Sequence, residues 1–548
     1  MHVLQVHPHD NVLVALRDFN AGQSVHWLEQ AVTTTHAIPA KHKIALQSFA
    51  AGDAVIMYGV LVGRAVVPIE KGEAITTRNV KHAAAQPVLR PSSFKWTPPD
   101  VSAFRHATFR GYHRANGTVG TANYWLVVPL VFCENRNIEV LREALIEKLG
   151  YGPPRPQQWS VDGLIRSYRS GATAEQLLQM DVVTHDDNRQ AERLFANVDG
   201  IKFLTHAGGC GGTRQDSDAL CALLAGYINH PNVAGATVLS LGCQHAQVKI
   251  LEEAITKINP NFNKPLFVLG QQDSKSEPEF IAQGLRQTFV GLTEANKISR
   301  APAPLSKLVV GLECGGSDGF SGISANPTLG YFSDLLVALG GTPVLSEFPE
   351  LNGVEQDLVD RSVSAPVAQK FLDLMNAYAE RARQAGSGFD MNPSPGNIKD
   401  GLITDAMKSA GAAKKGGTSP IVSVLDYTEQ VQQSGLHLLC TPGNDVESTT
   451  ALAGSGCNLI LFTTGLGTPT GNPISPTIKV SSNTSLYQKM RDVIDFDTGD
   501  IIAGKSTIED KGRELLAYAI QVASGEATPH AVRLQQDDFI PWKRGVSL

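Results

Sequence analysis

Short apolar runs alternate with helical stretches along most of the chain beyond about residue 106, and this rhythm limits the possible folds more than any other feature. The run YWLVVPLVFC at 124–133 is followed by the helical pattern NIEVLREALIEKLG at 137–150. Strands that alternate with helices form parallel sheets whose faces the helices cover. The pattern therefore predicts Rossmann-like, parallel-sheet α/β domains. Further strands are expected at 200–205, 236–241, 266–270, 307–312, 342–346, 421–425, 436–440 and 458–463.

A chain of 548 residues is too long for one ordinary core, so several domains are expected. Short apolar runs separated by turns predict a small β barrel or β clip over residues 1–84. A proline-rich stretch predicts an extended connector at about 85–105. A central α/β domain at 106–300 and a C-terminal Rossmann-like catalytic domain at 301–548 follow. Residues 151–198 do not fit the alternation and are expected to form a surface insertion.

The overall charge directs attention to small-molecule partners. The formal net charge is −6, from 47 basic and 53 acidic residues, so no basic field attracts nucleic acid or an anionic membrane. The first residues lack a basic region followed by an apolar stretch, and no run approaches the roughly 18 apolar residues of a membrane-spanning helix, so we expect a cytoplasmic location. Seven widely spaced cysteines without a C-x-x-C pair argue against a disulfide framework or structural zinc.

The segment LVVGLECGGSDGFSGISANPTLGY at 308–331 carries the strongest signal for a functional site. Its apolar run predicts a buried strand that ends at Glu313 and Cys314 and opens into a glycine-rich loop with Ser317 and Asp318. Open α/β sheets place their chemistry at the carboxyl ends of strands, and glycines let the backbone approach a ligand closely. The alternative is a loop whose acidic residue only caps the next helix.

Four of the seven cysteines fall at or just past the carboxyl ends of predicted strands: Cys133, Cys210, Cys243 and Cys314. A cysteine without a special role is a small buried hydrophobe, and such residues would be scattered among core positions. Thiolates are soft ligands for iron. Metal ligation or redox chemistry therefore explains this placement better than core packing does.

Other polar residues follow predicted strands at the same edge. His206 lies in the segment THAGGCGGTRQDS, whose glycines leave the space around the histidine free of side chains. Arg214, farther along this segment, could bind a substrate carboxylate with its planar guanidinium group. Asn444 and Asp445 stand where a helix is expected to begin, and helix capping explains them equally well.

Two further groups carry charge near predicted strand ends. Glu347 and Glu350 follow the strand TPVLS. Asn397 in NPSPGN, Lys408 and the KKGG run at 414–417 form a glycine-rich, basic stretch. This stretch could hold an anionic substrate, or it could be a solvated loop.

Long segments of the chain resemble the altronate/galactarate dehydratase family. HPHDNVLVAL, AKHKIAL and MYGVLVGRA are similar to the family's small N-terminal β-clip (SAF) domain. The resemblance continues through RANGTVGTANYWLVVP, HAGGCGGTRQD, LGCQ, GLECGGSDGFSGISANPTLG, NPSPGN, TPGNDVESTTALAGSGCNLILFTTGLGTPTGNPISPTIKVSSN and the terminal WKRGVSL. Matches of this length over nearly the whole chain are far more specific than any single motif.

The resemblance implies a hydro-lyase that converts D-altronate to 2-dehydro-3-deoxy-D-gluconate, with Fe²⁺ required and Mn²⁺ as a possible substitute. Galactarate is the alternative substrate, and a sugar-acid binding protein without catalysis is the alternative of a different class. A [4Fe–4S] cluster on the strand-end cysteines is the alternative to a single ferrous ion. We expect a homodimer that acts on a small sugar acid.

The resemblance and the strand-end positions together imply three sets of site residues. The catalytic set is His206, Lys408, Asp318, His42 and His7. Within it, His206 is the first choice for the base or a metal ligand, and the last two matter if the β-clip domain folds over the site. The substrate-binding set is Arg214, Ser317, Asn444, Asp445 and Asn397. The metal-binding set is Cys210, Cys243, Cys314, Cys133 and Glu313.

Overall fold

The computed structural model describes residues 2–28, 30–90, 94–152, 158–184 and 192–547. The strands are β1 (Val3–Leu4), β2 (Val12–Ala15), β3 (Ser24–Trp27), β4 (Gln30–Thr33), β5 (Lys43–Ala45), β6 (Ala54–Met57), β7 (Val60–Ala65), β8 (Ala74–Ile75), β9 (Val80–Lys81), β10 (Thr108–His113), β11 (Val119–Gly120), β12 (Tyr124–Pro129), β13 (Gln158–Trp159), β14 (Val183–Thr184), β15 (Gly200–Phe203), β16 (Val233–Ser240), β17 (Leu266–Gly270), β18 (Ala301–Pro304), β19 (Val309–Cys314), β20 (Thr342–Leu345), β21 (Ile421–Leu425), β22 (Leu436–Leu439), β23 (Leu459–Thr464), β24 (Thr477–Ser481) and β25 (Phe496–Asp497).

The helices are α1 (Asn135–Leu145), α2 (Asp162–Arg169), α3 (Ala174–Leu178), α4 (Arg214–Asn229), α5 (Val248–Ile258), α6 (Glu277–Ala295), α7 (Ala325–Ala338), α8 (Glu355–Arg361), α9 (Ala365–Gln384), α10 (Pro395–Lys399), α11 (Asp405–Ala412), α12 (Asp445–Gly454), α13 (Thr484–Lys489), α14 (Gly499–Ile502), α15 (Ile508–Ser524) and α16 (His530–Arg533). None of the helices in these described ranges is both long and apolar enough to cross a membrane.

The N-terminal domain is built from antiparallel strands, as its turns predict. Strands β1, β2, β5 and β8 form one sheet in the order β1-β2-β5-β8, strands β6, β7 and β9 form a second, and β3 and β4 form a hairpin. Leu13, Val32 and Ile44 lie in its own small core. Met57 and Val62 pack instead in an apolar cluster shared with the C-terminal domain. The small β domain is therefore docked on its neighbour through apolar contacts.

The central domain contains a four-stranded parallel sheet in the order β15-β12-β16-β17. Leu223 of α4 and Leu251 of α5 cover one face, and Leu141 of α1 and Phe280 of α6 cover the other. Each face is buried, which is why these strands are continuous apolar runs rather than alternating ones.

The C-terminal domain contains a seven-stranded parallel sheet in the order β21-β22-β20-β19-β23-β24-β25. Leu335 of α7 and Leu515 of α15 belong to the apolar cluster on one face, and Leu452 of α12 packs on the other face together with α4 of the central domain. The predicted α/β class, with a small strand domain and a large parallel sheet, is confirmed. Strands β24 and β25 extend this sheet beyond the strands that the sequence predicts, because the polar residues of TIKVS mask a buried strand.

The described part of the insertion, residues 158–184, forms the β13–β14 hairpin and helices α2 and α3. Neither helix buries a residue. Helices α2 and α3 thus lie at the surface, whereas Tyr151, Phe195 and Val198, near the two ends of the segment 151–198, are buried in the core of the central domain.

Candidate active site

Strand β19 brings Glu313 and Cys314 to the centre of the large sheet's carboxyl edge. The strand lies between β20 and β23, and its last five residues are buried. Glu313 has no exposed surface and Cys314 is 2% exposed. Because the carboxyl ends of parallel strands meet at one edge, the segments that follow β20 and β22 reach the same place.

Glu347 follows β20 in a left-handed backbone conformation with φ 65°. A residue with a side chain adopts this conformation rarely and at a cost of about 1–3 kcal/mol. The backbone N–H of Glu347 donates to Thr441 Oγ1 at 2.8 Å, and its Oε2 accepts from the backbone N–H of Cys314 at 3.1 Å. The strained backbone thus directs the Glu347 carboxylate toward the end of β19.

Two serines hold one oxygen of Glu313 and leave the other without a donor. Oε2 accepts hydrogen bonds from Ser346 Oγ at 2.9 Å and from Ser448 Oγ at 2.6 Å. Oε1 of Glu313 and Oε1 of Glu347 are buried and receive no hydrogen bond from an N–H or hydroxyl donor among the described residues, and the two carboxyl groups lie close enough to share a proton. Buried carboxylate oxygens are costly unless a ligand, a water or an ion satisfies them.

Two lysines bring positive charge to this cluster. Lys415, 1% exposed, lies with its Nζ 2.7 Å from Cys314 Sγ and 2.6 Å from Glu347 Oε2. Lys408, on α11, donates to Glu350 Oε1 at 2.6 Å, and the Cys314 thiol lies 3.1 Å from the other oxygen of Glu350. Acidic, thiol and amine groups therefore alternate within one buried network.

Burial and crowding separate the pKa values of the three glutamates. Burial raises the pKa of Glu313 well above its ordinary value, and the carboxylate of Glu347 adds to this shift. Burial and Glu350 likewise raise the pKa of Glu347. Burial also acts to raise the pKa of Glu350, but Lys408 and Lys415 outweigh it and hold this pKa below its ordinary value. The cluster can therefore hold a proton on one carboxyl group while another stays charged.

Asp445 lies at the rim of the cluster, at the start of α12. Asn444 is exposed and caps this helix, because its Oδ1 accepts from two N–H groups of the first turn at 3.1 and 3.2 Å. Burial and the nearby Glu347 raise the pKa of Asp445 to about 7. Gly315 packs against Asp445: a Cβ there would lie 2.1 Å from Oδ2, so the close approach requires glycine.

Asp318, Ser317 and Asn397 form a second group on the loop that follows β19. Asp318 Oδ1 accepts from the backbone N–H and the hydroxyl of Ser321, each at 2.9 Å, and its Oδ2 lies 3.0 Å from Nζ of Lys41 in the N-terminal domain. Asn397 Nδ2 donates to the backbone oxygen of Ser317 at 2.8 Å. These contacts fix the loop and join it to the N-terminal domain.

No hydrogen bond or ion pair among the described residues joins His7, His42 or Arg214 to Glu313. His7 Nδ1 accepts from the backbone N–H of His9 at 3.2 Å, and His42 Nδ1 lies 3.2 Å from the backbone oxygen of Ala40. Both histidines therefore make local contacts within the N-terminal domain. Arg214 is exposed in the first turn of α4.

His206 is held by hydrogen bonds at both ring nitrogens. Nε2 lies 2.8 Å from the backbone oxygen of Pro129, and Nδ1 accepts from the backbone N–H of Gly208 at 3.1 Å. The residue is 7% exposed, and burial lowers its pKa. In this geometry His206 is a neutral residue that fixes the loop, with no ring nitrogen free to accept a proton.

The four strand-end cysteines divide between the two parallel sheets. Cys133, Cys210 and Cys243 follow β12, β15 and β16, which are neighbours in the central sheet. Backbone hydrogen bonds of 3.0 and 3.1 Å join the Cys210 loop to the loops of the other two. Cys314 ends a strand of the other sheet. Three of the four thiols that the sequence groups into one metal-binding set therefore lie at the edge of the central sheet. The fourth, Cys314, lies at the edge of the large sheet.

Comparison with known proteins identifies the family. The model "D-galactarate/Altronate dehydratase, C-terminal" matches residues 305–547, "D-galactarate dehydratase/Altronate hydrolase, second domain" matches 111–296, and "Altronate/galactarate dehydratase SAF domain" matches 1–83. The altronate dehydratase of Bacillus subtilis is 35% identical over 552 residues, covering 100% of this chain and 99% of its own length. The chain belongs to the D-galactarate/altronate dehydratase family.

Two further relatives support this membership. The altronate dehydratase of Escherichia coli is 32% identical over 556 residues and covers 100% of both chains. The galactarate dehydratase (L-threo-forming) of Escherichia coli is 30% identical over 527 residues, covering 95% of this chain and 93% of its own length. The family resemblance and the enzyme class predicted from the sequence are confirmed, and the protein is a sugar-acid hydro-lyase.

Two overlapping sets of side chains in this dehydratase could bind a divalent metal ion. One ligand atom each from Cys314, Glu347 and Glu350 lie within 4.8 Å of one another, and so do atoms from Glu313, Glu347 and Asp445. The first set already contacts two lysine amines. The second set contains both carboxylate oxygens that lack a donor. Carboxylate oxygens suit Mn²⁺ and related divalent ions, so the second set fits a metal better.

Sequence reasoning locates part of this dehydratase site and misses the rest. Glu313 and Cys314 are found because they end an apolar strand. Glu347 and Glu350 follow a strand in the same way, but the sequence assigns them no role. Lys415 belongs to the KKGG run, where a solvated loop was the equal alternative, yet it is buried. No local signal tells a buried lysine from an exposed one, because the partners come from distant strands.

Proposed function

We propose that this hydro-lyase converts D-altronate to 2-dehydro-3-deoxy-D-gluconate. The observation that carries the proposal is full-length similarity to two altronate dehydratases, at 35% and 32% identity. The reaction removes the C2 proton, stabilises the resulting enediolate on the substrate carboxylate and expels the C3 hydroxyl as water. The buried network around Glu313 supplies groups for proton transfer and for charge stabilisation.

The cationic side chains of the network have a defined part in this proposal. Lys408 remains protonated, because Glu350 and the other nearby acidic groups outweigh burial and raise its pKa. Lys408 is half-buried next to the carboxylate cluster, so its ammonium group can bind the substrate carboxylate. Asn444 and Asp445 lie at the more exposed side of the cluster, where the substrate would enter.

We further propose that Glu313, Glu347 and Asp445 hold Fe²⁺, with Mn²⁺ as a substitute. A divalent ion would supply positive charge for the enediolate. It would also offset the charge of neighbouring carboxylates, which adds to the effect of burial in raising the pKa values of these three residues. These oxygen donors, rather than the strand-end thiols, form the ligand set that we favour for a single ion.

The three thiols of the central sheet are the alternative metal centre. Cys133, Cys210 and Cys243 lie on three loops joined by hydrogen bonds, and three cysteines with one open iron position would suit a [4Fe–4S] hydro-lyase. Their partial or full exposure allows a cluster to be inserted from solvent.

Anaerobic turnover tests the substrate and the metal together. The purified enzyme should convert D-altronate, and galactarate more slowly, to a 2-keto-3-deoxy acid in the presence of Fe²⁺, without broad visible absorption near roughly 400 nm. Absorption there, lost in Cys210→Ser and kept in Glu313→Gln, would favour the cluster. Faster turnover of galactarate than of D-altronate would make galactarate the preferred substrate. Binding of either acid without turnover would contradict the proposal.

A further inference from the structure

Lys479 is a buried lysine whose amine has no hydrogen-bond acceptor among the described residues and lies against an aromatic ring. The side chain in β24 has no exposed surface, and its Nζ has neither a hydrogen-bond acceptor nor an ion-pairing carboxylate among the described residues. Other buried lysines are satisfied: Lys43 donates to two backbone oxygens, Lys264 donates to three, and Lys415 contacts a thiol and a carboxylate. A buried amine without a hydrogen-bond acceptor is costly, so a role other than stability has to explain it.

The register of the large sheet places Lys479 in the same row as the carboxylate cluster. Lys479 pairs with Phe462 of β23, and Phe462 pairs with Glu313 of β19. Paired residues of a parallel sheet project from the same face, and adjacent strands are about 4.8 Å apart. Nζ of Lys479 lies 3.4 Å from the centre of the Phe462 ring. Only this ring position separates the amine from Glu313 along the row.

Four acidic groups on different elements surround Lys479 at longer range. They are Glu313 on β19, Asp445 at the start of α12, Asp495 before β25 and Asp538 in the C-terminal segment. Burial lowers the pKa of Lys479, the four acids oppose this effect, and the resulting pKa is about 7. A lysine with a pKa near 7 is partly unprotonated at neutral pH and can accept a proton there, which an ordinary lysine cannot do.

We propose that the neutral amine of Lys479 is the general base that removes the C2 proton of the sugar acid, an inference that rests on the proposed function. The amine has no hydrogen-bond acceptor among the described residues, is fully buried against the Phe462 ring and is in register with Glu313. His206, the base expected from the sequence, has both ring nitrogens occupied. Lys479 therefore replaces His206 in this role.

In this reaction one residue, Lys479, both accepts the proton and returns it. The C2–H bond breaks, its proton passes to the amine of Lys479, and its electron pair forms the enediolate with the carboxylate. The C3–O bond then breaks, and the hydroxyl leaves as water with the proton of the new ammonium group. The enol product becomes the ketone, and the amine is neutral again.

Substitution of Lys479 tests whether this residue acts as a general base or has only a structural role. Lys479→Met should lower kcat by about 100-fold or more, the usual contribution of a general base. KM should change little, and the fall of kcat/KM as the pH drops through 7 should become shallower, because Asp445, whose pKa is also about 7, would still take up a proton in this range. Because the variant replaces a buried amine that has no hydrogen-bond acceptor with an apolar side chain that can still pack on the Phe462 ring, its Tm should equal or exceed that of the wild type. Metal-dependent stabilisation should be retained.

Restoring activity with an added amine tests the role as a base directly, because a purely structural residue would not be replaced by a free amine. In Lys479→Ala, added methylamine or ethylamine should restore activity in proportion to the concentration of the neutral amine. Lys43→Ala is the matched control, because Lys43 is equally buried and its pKa is also lowered to about 7 by burial, but its amine is fully bonded. This control should lose stability and show no rescue.

Two failures are distinguishable. Wild-type turnover combined with a Lys479→Met variant that keeps its kcat and its acid limb would overturn the role of Lys479 alone. Loss of metal-dependent stabilisation in Lys479→Met would also overturn it, since the amine would then be a metal-site residue. An inactive wild type on both D-altronate and galactarate would overturn the proposed function and this role with it.

Discussion

Lys415 contacts two buried groups at once, the thiol of Cys314 and the carboxylate of Glu347, and the cluster depends on it directly. All three side chains are buried. Removing one member of a buried ion pair leaves the other uncompensated, which typically costs about 3–5 kcal/mol. We therefore expect Lys415→Met to lower the free energy of unfolding by about this amount in urea titrations.

A surface lysine provides the control for this substitution. Lys505 is exposed at the end of α14, and Lys505→Met should change the free energy of unfolding by less than about 0.5 kcal/mol. An equal effect of the two substitutions would show that the pairing around Lys415 contributes nothing measurable.

His206 gives a prediction about pH. Burial lowers its pKa below the ordinary value of 6.5, so below pH 6.5 the unfolded chain binds more protons at this residue than the folded enzyme does. Its contribution to stability is therefore complete above pH 6.5 and is lost as the pH falls. His206→Asn should cost about 1–3 kcal/mol at pH 8, because it breaks buried hydrogen bonds. The gap between the two proteins should narrow toward pH 5 in thermal unfolding, and a constant gap would contradict this assignment.

At the level of elements, the N-terminal domain is held against the large domain by close packing at Gly322. A Cβ at this position would lie 2.2 Å from Tyr58 Oη and 2.8 Å from the Cα of Gly411. Tyr58 belongs to the turn between β6 and β7, and Gly411 belongs to α11. Gly322→Ala should therefore force the two elements apart, cost about 1–3 kcal/mol and speed proteolysis of the connector between the domains.

Gly163 in α2 serves as the matched control, because a Cβ there meets only the flexible end of Met180, at 3.3 Å. Gly163→Ala should not lower the stability, because alanine favours a helix more than glycine does, and it should leave the cleavage rate of the connector unchanged. Faster cleavage in both variants would mean that docking at Gly322 does not protect the connector.

The elements whose bounds the sequence predicts best are short apolar runs bounded by turn residues. The strands at 266–270 and 421–425 have the predicted bounds, because each is an apolar run between turn residues. β24 is missed because Lys479 and two hydroxyl residues interrupt its apolar pattern. The buried lysine thus prevents the sequence from predicting either its strand or its own role. Its position relative to Glu313 follows only from the register across β19 and β23.

At the scale of the whole molecule, the sequence shows which residues reach a strand end but not which sheet that strand joins. Cys314 and Cys210 have the same local signature, an apolar run followed by glycines. Strand order places them in different sheets, since β15 pairs with β12 and β19 pairs with β20 and β23. Which strands pair depends on packing between distant segments, which local sequence does not record. The predicted boundary at residue 300 already separates Cys314 from the other three thiols, but the strand order is what shows that the two groups lie at the edges of different sheets.

Metal binding should stabilise the whole enzyme through the carboxylate cluster. A ligand that binds only the folded state adds about 2.7 kcal/mol at 100 times its Kd. Mn²⁺ in air, or Fe²⁺ under anaerobic conditions, should therefore raise Tm, and a chelator should reverse the rise. Glu313→Gln should abolish this shift, because it removes one of three ligands and one of the repelling charges that the ion relieves.

Two variants decide where such an ion binds. Glu509→Gln makes the same chemical change at an exposed position of α15 and should keep the full shift in Tm. Cys210→Ser should also keep it if the ion binds at Glu313, because Cys210 lies at the edge of the other sheet. Loss of the shift in Cys210→Ser, with retention in Glu313→Gln, would move the metal centre to the central domain. The carboxylates at the end of β19 would then need another explanation for their unpaired oxygens.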